Sequence, residues 1–200
     1  MRTAIVTLLA ALLLALAGTF TFIYAGIYNV AATQPHWPIT FWAMETVRQQ
    51  SVKRHASGMT PPPDLASDSR VLAGTEHYAA HCALCHGAPG VPRTDLAQRL
   101  YPLPADLTHV TNRYTPGELF WVLKNGIKMS GMPSWMDHSD DELWATVAFL
   151  ERLPNMKEAD YATLMMARIT NGGDHQSHGM QGMDHSSMPG MQHAPDPHQH

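Results

Sequence analysis

The sequence predicts an all-α protein: one N-terminal transmembrane helix, a small helical domain and a disordered C-terminal tail. Three observations support this: an apolar opening run, capped segments with helical apolar spacing in the middle, and no apolar periodicity in the last thirty residues. Strand-like alternation is absent. The expected segments are an anchor (1–32), a juxtamembrane helix with a proline linker (33–63), the domain (64–156), a C-terminal helix (157–170) and the tail (171–200).

The N-terminal anchor is predicted from a stretch that contains no Lys, Arg, Asp or Glu between Arg2 and Glu45. A bilayer-spanning helix needs about 20 apolar residues, and this stretch supplies them. A cleaved signal peptide is the alternative, because residues 15–17 (Ala-Leu-Ala) have the small-x-small form of a cleavage site. The apolar run continues past Phe20 to Ile27, which favours an uncleaved, single-pass anchor.

The orientation of the anchor follows from its flanking charges. Arg2 favours a cytoplasmic amino terminus by the positive-inside bias, with the rest of the chain on the other side. Arg48, Lys53 and Arg54 lie beyond the anchor and weaken that argument.

A juxtamembrane helix is predicted from Phe41 to His55. Trp37 and Trp42 stand where an aromatic belt would meet lipid headgroups. The helix either lies on the membrane surface or is a solvated connection, and the pattern leaves both open. Pro61–Pro63 then forms a stiff spacer of ~3.1 Å per residue, which sets the predicted domain boundary.

The helices of the domain are predicted from their start and stop signals. Thr115, with Glu three positions later, marks one start, the acids after Ser139 favour another through the helix dipole, and Gly or Pro marks the ends. Asp68 is expected to cap a helix that runs to about His81. The other predicted helices run from Thr115 to Gly126, from Ser139 to before Pro154, and from Glu158 to Ile169.

Charge and size restrict the class of protein. The net charge is -4, and residues 61–160 hold eight Lys/Arg against thirteen Asp/Glu, so no basic stripe exists and a nucleic-acid partner is not expected. About three helices in ~90 residues make a thin core, which usually needs a staple, a metal or a large apolar insert.

The only two cysteines stand in the stretch His81–Gly90, HCALCHGAPG. A zinc site would need scattered histidines as its other ligands, a redox dithiol would need a strand–helix context, and a disulfide across two residues would be strained. Cys-x-x-Cys-His is instead the attachment signal of c-type haem. We expect Cys82 and Cys85 to form thioethers with the porphyrin vinyl groups and His86 to coordinate the iron.

A second motif, Gly131-Met132-Pro133, stands before the last helix of the domain, with its methionine 46 residues after His86. With Cys-x-x-Cys-His, it makes residues Asp68 to Leu153 resemble a class I monohaem cytochrome c. The resemblance implies a compact helical fold around one covalent haem c (heme c), with Met132 as the second axial ligand. It also implies an electron-transfer protein rather than an enzyme. The competing ligands are Met129, Met136, His77, His81, His109 and His138.

The resemblance also suggests residues that support the haem. In the family a proline carbonyl holds the ligating histidine, and Pro89 and Pro92 are both candidates here. Trp135, Tyr101 and Arg113 are candidates for approaching the propionates, with packing or surface roles as the alternative. Trp121 and Trp144 are expected in the core.

The tail, residues 171–200, contains six His and four Met among Gly, Ser, Pro and Gln. It resembles the low-complexity segments of periplasmic copper-handling proteins, and thioethers select Cu(I) while imidazoles suit Cu(II). Nickel or zinc binding and a merely solubilising tail are the alternatives. The candidate copper ligands are His175, His178, Met180, Met183, His185, Met188, Met191 and His193.

The predicted function is single-electron transfer at the periplasmic side of a bacterial inner membrane. The layout is similar to that of membrane-bound bacterial cytochromes c. The expected partners are the membrane and a redox protein: a respiratory complex, an oxidase or a copper protein. The alternatives are a copper-homeostasis protein that couples tail-bound copper to the haem, and a cytochrome subunit of a respiratory dehydrogenase or oxidase.

Overall fold

A computed structural model describes residues 1–109 and 113–171. Within these residues every regular element is a helix, and the only β-type pairing is an isolated bridge between Ala88 and Val91. The predicted all-α class is confirmed. The α-helices are α1 (Arg2–Tyr24), α2 (Pro38–His55), α3 (Asp68–His77), α4 (Ala83–His86), α5 (Asp95–Gln98), α6 (Pro116–Asn125), α7 (Asp140–Arg152) and α8 (Glu158–Asn171).

Helix α1 matches the predicted anchor in type and ends earlier than the apolar run. Its most apolar window has a mean hydropathy of 2.3, and none of that window is buried. Among the described residues it is the one helix long and apolar enough to cross a bilayer, a test that a signal sequence also passes.

The core of the domain forms where α3 crosses α7. An ideal Cβ on Gly74 would lie 1.9 Å from the carbonyl oxygen of Ala145, so only glycine allows the two helices to approach this closely. Leu143, Val147 and Phe149 of α7 are fully buried at this crossing. Helix α8 also packs against α3.

The helix starts follow local capping chemistry. Thr115 forms a capping box with Glu118, the pair that was predicted, and Ser139, the predicted start of α7, forms one with Glu142. Helix α3 differs by one residue, because the side chain of Ser67, rather than that of Asp68, accepts the bond from the Arg70 amide.

The predicted helix to His81 is continuous but changes its pitch. Helix α3 passes into a π-helical turn at Tyr78–Cys82, and α4 follows directly. The Pro- and Gly-rich region beyond it also holds the short α5 and a 3-10 turn at Leu107–His109, which sequence did not predict. A second 3-10 turn, Leu153–Asn155, ends α7 where Pro154 was expected to stop it.

Helix α2 packs against α6, so the domain has a described contact with a segment ahead of the proline spacer. Val52 and Ala56 are buried in that contact. The predicted boundary at Pro61–Pro63 stays a prediction, but the spacer does not separate α2 from the domain.

Candidate functional site

The two cysteines flank the junction between the π-helical turn and α4. Cys82 is 6% exposed and Cys85 is half-buried, and both are free thiols. Burial, with a contribution from Cys85, raises the pKa of the Cys82 thiol to about 12. The structure therefore holds no disulfide at this motif, and the helical surroundings differ from the strand–helix context of a redox dithiol.

His86 is the last residue of α4 and is held by a long-range backbone contact. Its Nδ1 lies 2.8 Å from the carbonyl oxygen of Ala105, nineteen residues later. A carbonyl only accepts, so Nδ1 donates and Nε2 keeps its lone pair. Burial lowers the pKa of His86, which favours the neutral imidazole that can act as a ligand. The expected carbonyl of Pro89 or Pro92 is not the one observed.

Two further side chains, which sequence did not single out, brace the turn after the motif. The buried Tyr78 hydroxyl donates to the carbonyl oxygen of Gly87 at 2.6 Å. The Thr94 hydroxyl donates to the carbonyl oxygen of Leu84 at 3.0 Å. Both bonds end on backbone atoms within α4 or immediately after it, so they fix the direction in which His86 leaves the helix. The sequence offered one signal for Tyr78, which is an aromatic residue four positions before the first cysteine.

Met132 lies in a compact loop at the end of α6. The amide of Ile127 donates to the carbonyl oxygen of Met132 at 3.1 Å, and the Met132 amide donates to the Ser130 hydroxyl at 3.2 Å. An ideal Cβ on Gly126 would lie 2.6 Å from the carbonyl carbon of Pro133. The loop therefore folds back tightly on the helix end, and it holds the half-buried Met132 side chain against the core.

The competing methionines differ from Met132 in exposure. Met129 is 80% exposed and has a left-handed φ of 60°, and Met136 is 73% exposed. Met132 is thus the methionine of this loop whose side chain packs on the domain.

Three of the competing histidines gather around one tryptophan. The ring centroids of His77, His81 and His138 are 4.6 to 5.3 Å apart, and each lies within 5.7 Å of the Trp135 ring. His77 is buried, and its Nε2 has no hydrogen-bond partner among the described residues. In the described part of the chain, no group of three or more His, Cys, Asp or Glu is arranged to hold a metal ion. His109 is exposed.

The candidate propionate neighbours are dispersed. The Tyr101 hydroxyl accepts a bond from the His36 amide at 2.8 Å, Arg113 is exposed, and Trp135 lies among the three histidines. Of the two tryptophans expected in the core, Trp144 is half-buried and stacks on Phe120, with centroids 4.2 Å apart. Trp121 is also half-buried.

The candidate copper ligands of the tail, from His175 to His193, lie outside the described residues. Their role in binding copper stays a prediction from the sequence.

Residues 69–150 match the family described as cytochrome C oxidase, cbb3-type, subunit III. The match begins in α3 and ends in α7, and it includes the cysteine motif and the Met132 loop. It covers less than half of the chain and supports a c-type cytochrome domain, with haem c as the implied cofactor. No curated protein and no solved structure matched the chain.

Proposed function

We propose that the protein is a membrane-anchored cytochrome that carries single electrons on one covalent haem c, with His86 and Met132 as axial ligands. The observation that carries this proposal is the arrangement of the two thiols and the imidazole of the Cys-x-x-Cys-His motif. Two unpaired thiols stand one helical turn apart, and the adjacent imidazole has Nδ1 bonded and Nε2 available.

The donor set fits this cofactor. Cys82 and Cys85 would form the thioethers, His86 would supply a neutral nitrogen and Met132 a soft thioether. When bound, such a haem accepts and releases one electron, and a thioether ligand raises its reduction potential. The chain's own contribution is to hold the two ligands: Ala105 fixes the ring of His86.

Met132, the other proposed ligand, is held through its backbone, which is bonded to the Ser130 hydroxyl and the Ile127 amide. Two ligands held in this way change little between oxidation states, so the site suits electron transfer better than substrate chemistry. This is the physical reason for preferring a carrier over an enzyme.

The orientation follows from α1. An uncleaved α1 would cross the bacterial inner membrane once and leave the haem domain in the periplasm, where covalent haem attachment takes place. A protease added to intact spheroplasts should then digest the haem domain. Protection of that domain until the membrane is lysed would overturn the orientation.

The experiment that tests the axial ligands is absorption spectroscopy of the oxidised protein, produced with haem-attachment enzymes. Met132→Ala should remove the near-infrared charge-transfer band of methionine-ligated ferric haem, whereas the matched variants Met129→Ala and Met136→Ala should keep it. Loss of the band in either control variant with retention in Met132→Ala would overturn the assignment.

A second candidate, a cytochrome subunit of a terminal oxidase, is favoured by the family match. Haem-stained native gels of solubilised membranes distinguish the two. A subunit would migrate with oxidase activity, and a free carrier would migrate alone and exchange electrons with added oxidase. The copper-homeostasis alternative rests on the tail and is tested by mixing oxidised protein with Cu(I), with and without residues 171–200.

A further inference from the structure

Helix α2 divides into two halves with different surroundings. Its C-terminal half belongs to the domain, because Val52 is 1% exposed at the contact with α6. The Arg48 guanidinium donates to the Tyr114 hydroxyl, and the ring of His55 lies 5.7 Å from that of Trp121. These contacts fix the axis of α2 relative to the haem domain.

The N-terminal half of α2 carries large apolar side chains around its whole circumference, with Thr40, Glu45 and Thr46 between them. At about 100° per residue, the apolar side chains from residue 39 to residue 47 project in every direction rather than along one stripe. The only charged residue between 37 and 47, Glu45, is paired with Arg48. The large apolar side chains are all at least 44% exposed: Ile39, Phe41, Trp42, Met44 and Val47.

This half begins beside the end of the candidate membrane span. The ring of Trp37 lies 5.9 Å from that of Phe22, in the last turn of α1, and 5.1 Å from that of Tyr28. The Tyr28 hydroxyl is hydrogen-bonded to Nδ1 of His36 at 2.6 Å. If α1 spans the bilayer, the start of α2 is therefore at the level of the lipid headgroups.

We infer that residues 37–47 of α2 insert obliquely into the lipid interface, while the C-terminal half of the same helix holds the haem domain at a fixed tilt to the membrane. This inference rests on α1 as the proposed span. The ten residues Pro38–Val47 rise ~15 Å along the helix axis, whereas an interfacial layer is about 5–10 Å deep. A helix that exposes large apolar side chains on all sides would leave some of them in water if it lay flat on the membrane surface. It surrounds all of them with lipid only when it enters the membrane at an angle. The flat surface helix considered from the sequence would need one apolar stripe along both halves.

A second contact supports a fixed tilt. The His36 amide donates to the Tyr101 hydroxyl at 2.8 Å, and the two rings are 4.9 Å apart. Tyr101 belongs to the segment whose Ala105 carbonyl oxygen holds His86. The domain is thus attached at the start of α2 as well as along its C-terminal half, which leaves little freedom to rotate about the anchor.

The inference is tested by spin labels on the full chain in vesicles of phosphatidylethanolamine and phosphatidylglycerol. In the haem-loaded protein, where Cys82 and Cys85 are held in thioethers, one cysteine replaces Met44, Gln50 or Lys53, and Leu14→Cys reports on α1; mass spectrometry confirms one label per chain. Accessibility is measured to oxygen, which concentrates in lipid, and to a water-soluble nickel chelate. The label at residue 44 should favour oxygen, and labels at residues 50 and 53 should favour the nickel chelate progressively.

The outcomes separate this inference from the span itself. A label at residue 14 in lipid with a label at residue 44 in water overturns the inference and keeps the span. Both labels in water overturn the span. Accessibility that alternates with the helical period along all of α2 indicates a flat helix and also overturns the inference. Phe41→Gln with Trp42→Gln should move the residue 44 label into water, whereas Met166→Gln, equally exposed and apolar on α8, should leave it unchanged.

Discussion

The Nδ1 atom of His86 donates to the carbonyl oxygen of Ala105 at 2.8 Å, and this one bond joins the end of α4 to a loop nineteen residues later. It fixes both the tautomer and the plane of the ring, as the outer hydrogen bond of a ligating histidine does. The function proposed for this residue therefore requires the imidazole itself rather than a polar side chain of similar size.

His86→Gln should keep the thioether attachment but lose the low-spin haem spectrum, because an amide is a poor iron ligand. The measurement is the absorption spectrum of the reduced protein. His109→Gln is the matched control, since His109 is exposed and was also a candidate ligand. A low-spin spectrum that survives in His86→Gln and disappears in His109→Gln would show that the wrong histidine has been assigned.

Gly74→Ala should destabilise the domain by about 1–3 kcal/mol or more, because the added Cβ would meet the Ala145 carbonyl oxygen at 1.9 Å. Urea unfolding followed by circular dichroism measures the change. Ala73→Ser, at the neighbouring exposed position, should stay within about 0.5 kcal/mol of the parent. Equal urea midpoints for the two variants would contradict this expectation, because they would mean that α3 and α7 can move apart at no cost to make room for the added Cβ.

Ser139→Ala should cost about 1 kcal/mol of unfolding free energy, since it removes the acceptor for the Glu142 amide. Because the Glu142 carboxylate in turn accepts a bond from the Ser139 amide, the double variant with Glu142→Ala should be less destabilised than the sum of the two single changes. Thr163→Ala, an exposed position on α8, serves as the control. Strict additivity would contradict the capping box.

The stability of the domain should fall with acid because of His77. Burial, helped by His81 and His138, lowers the pKa of His77 to about 4, whereas an unfolded histidine titrates near about 6.5. Between these values the unfolded chain binds a proton that the native chain does not. The contribution of this group to stability is therefore complete above about pH 6.5 and is lost as the pH falls through about 4, by a total on the order of 3 kcal/mol.

The check is urea unfolding at neutral pH and near about pH 4.5 for the parent and His77→Phe. The variant should lose less stability over this interval, and His109→Phe should behave like the parent. An unchanged pH slope in His77→Phe would place the acid sensitivity on another group.

The elements that sequence predicted well are those fixed by neighbouring residues. The starts of α6 and α7 depend on Thr115 and Ser139 and the glutamates three positions on, so a local pattern is sufficient. The start of α3 was displaced by one residue because Ser67 and Asp68 are both good caps. The π-helical turn at Tyr78–Cys82 has no comparable signature, since an expanded turn needs no special residue.

In the candidate site, too, local features could be predicted from the sequence and features set by the tertiary fold could not. The Cys-x-x-Cys-His motif is contiguous and was read directly, whereas the Ala105 carbonyl could not be predicted, because any backbone carbonyl can accept and only the fold selects one. The gathering of His77, His81 and His138 around Trp135 also depends on how two distant segments pack. The exposure of Met129 and Met136, which distinguishes them from Met132, is likewise a tertiary property.

The loop that carries Met132 runs between two helices, and Gly126 and Ser139 mark its two ends. Gly126 ends α6 through its own bond to Val122, and Ser139 starts α7 through its bonds with Glu142. The Ser134 hydroxyl and the Trp135 amide donate to the Lys124 and Leu123 carbonyl oxygens at the end of α6. Residues 127–133 are therefore the part of the loop that can be exchanged as a cassette while these two bonds keep the end of α6 in place. With Met132 as the proposed axial ligand, grafting segments of equal length from other cytochromes would vary the reduction potential on a constant scaffold.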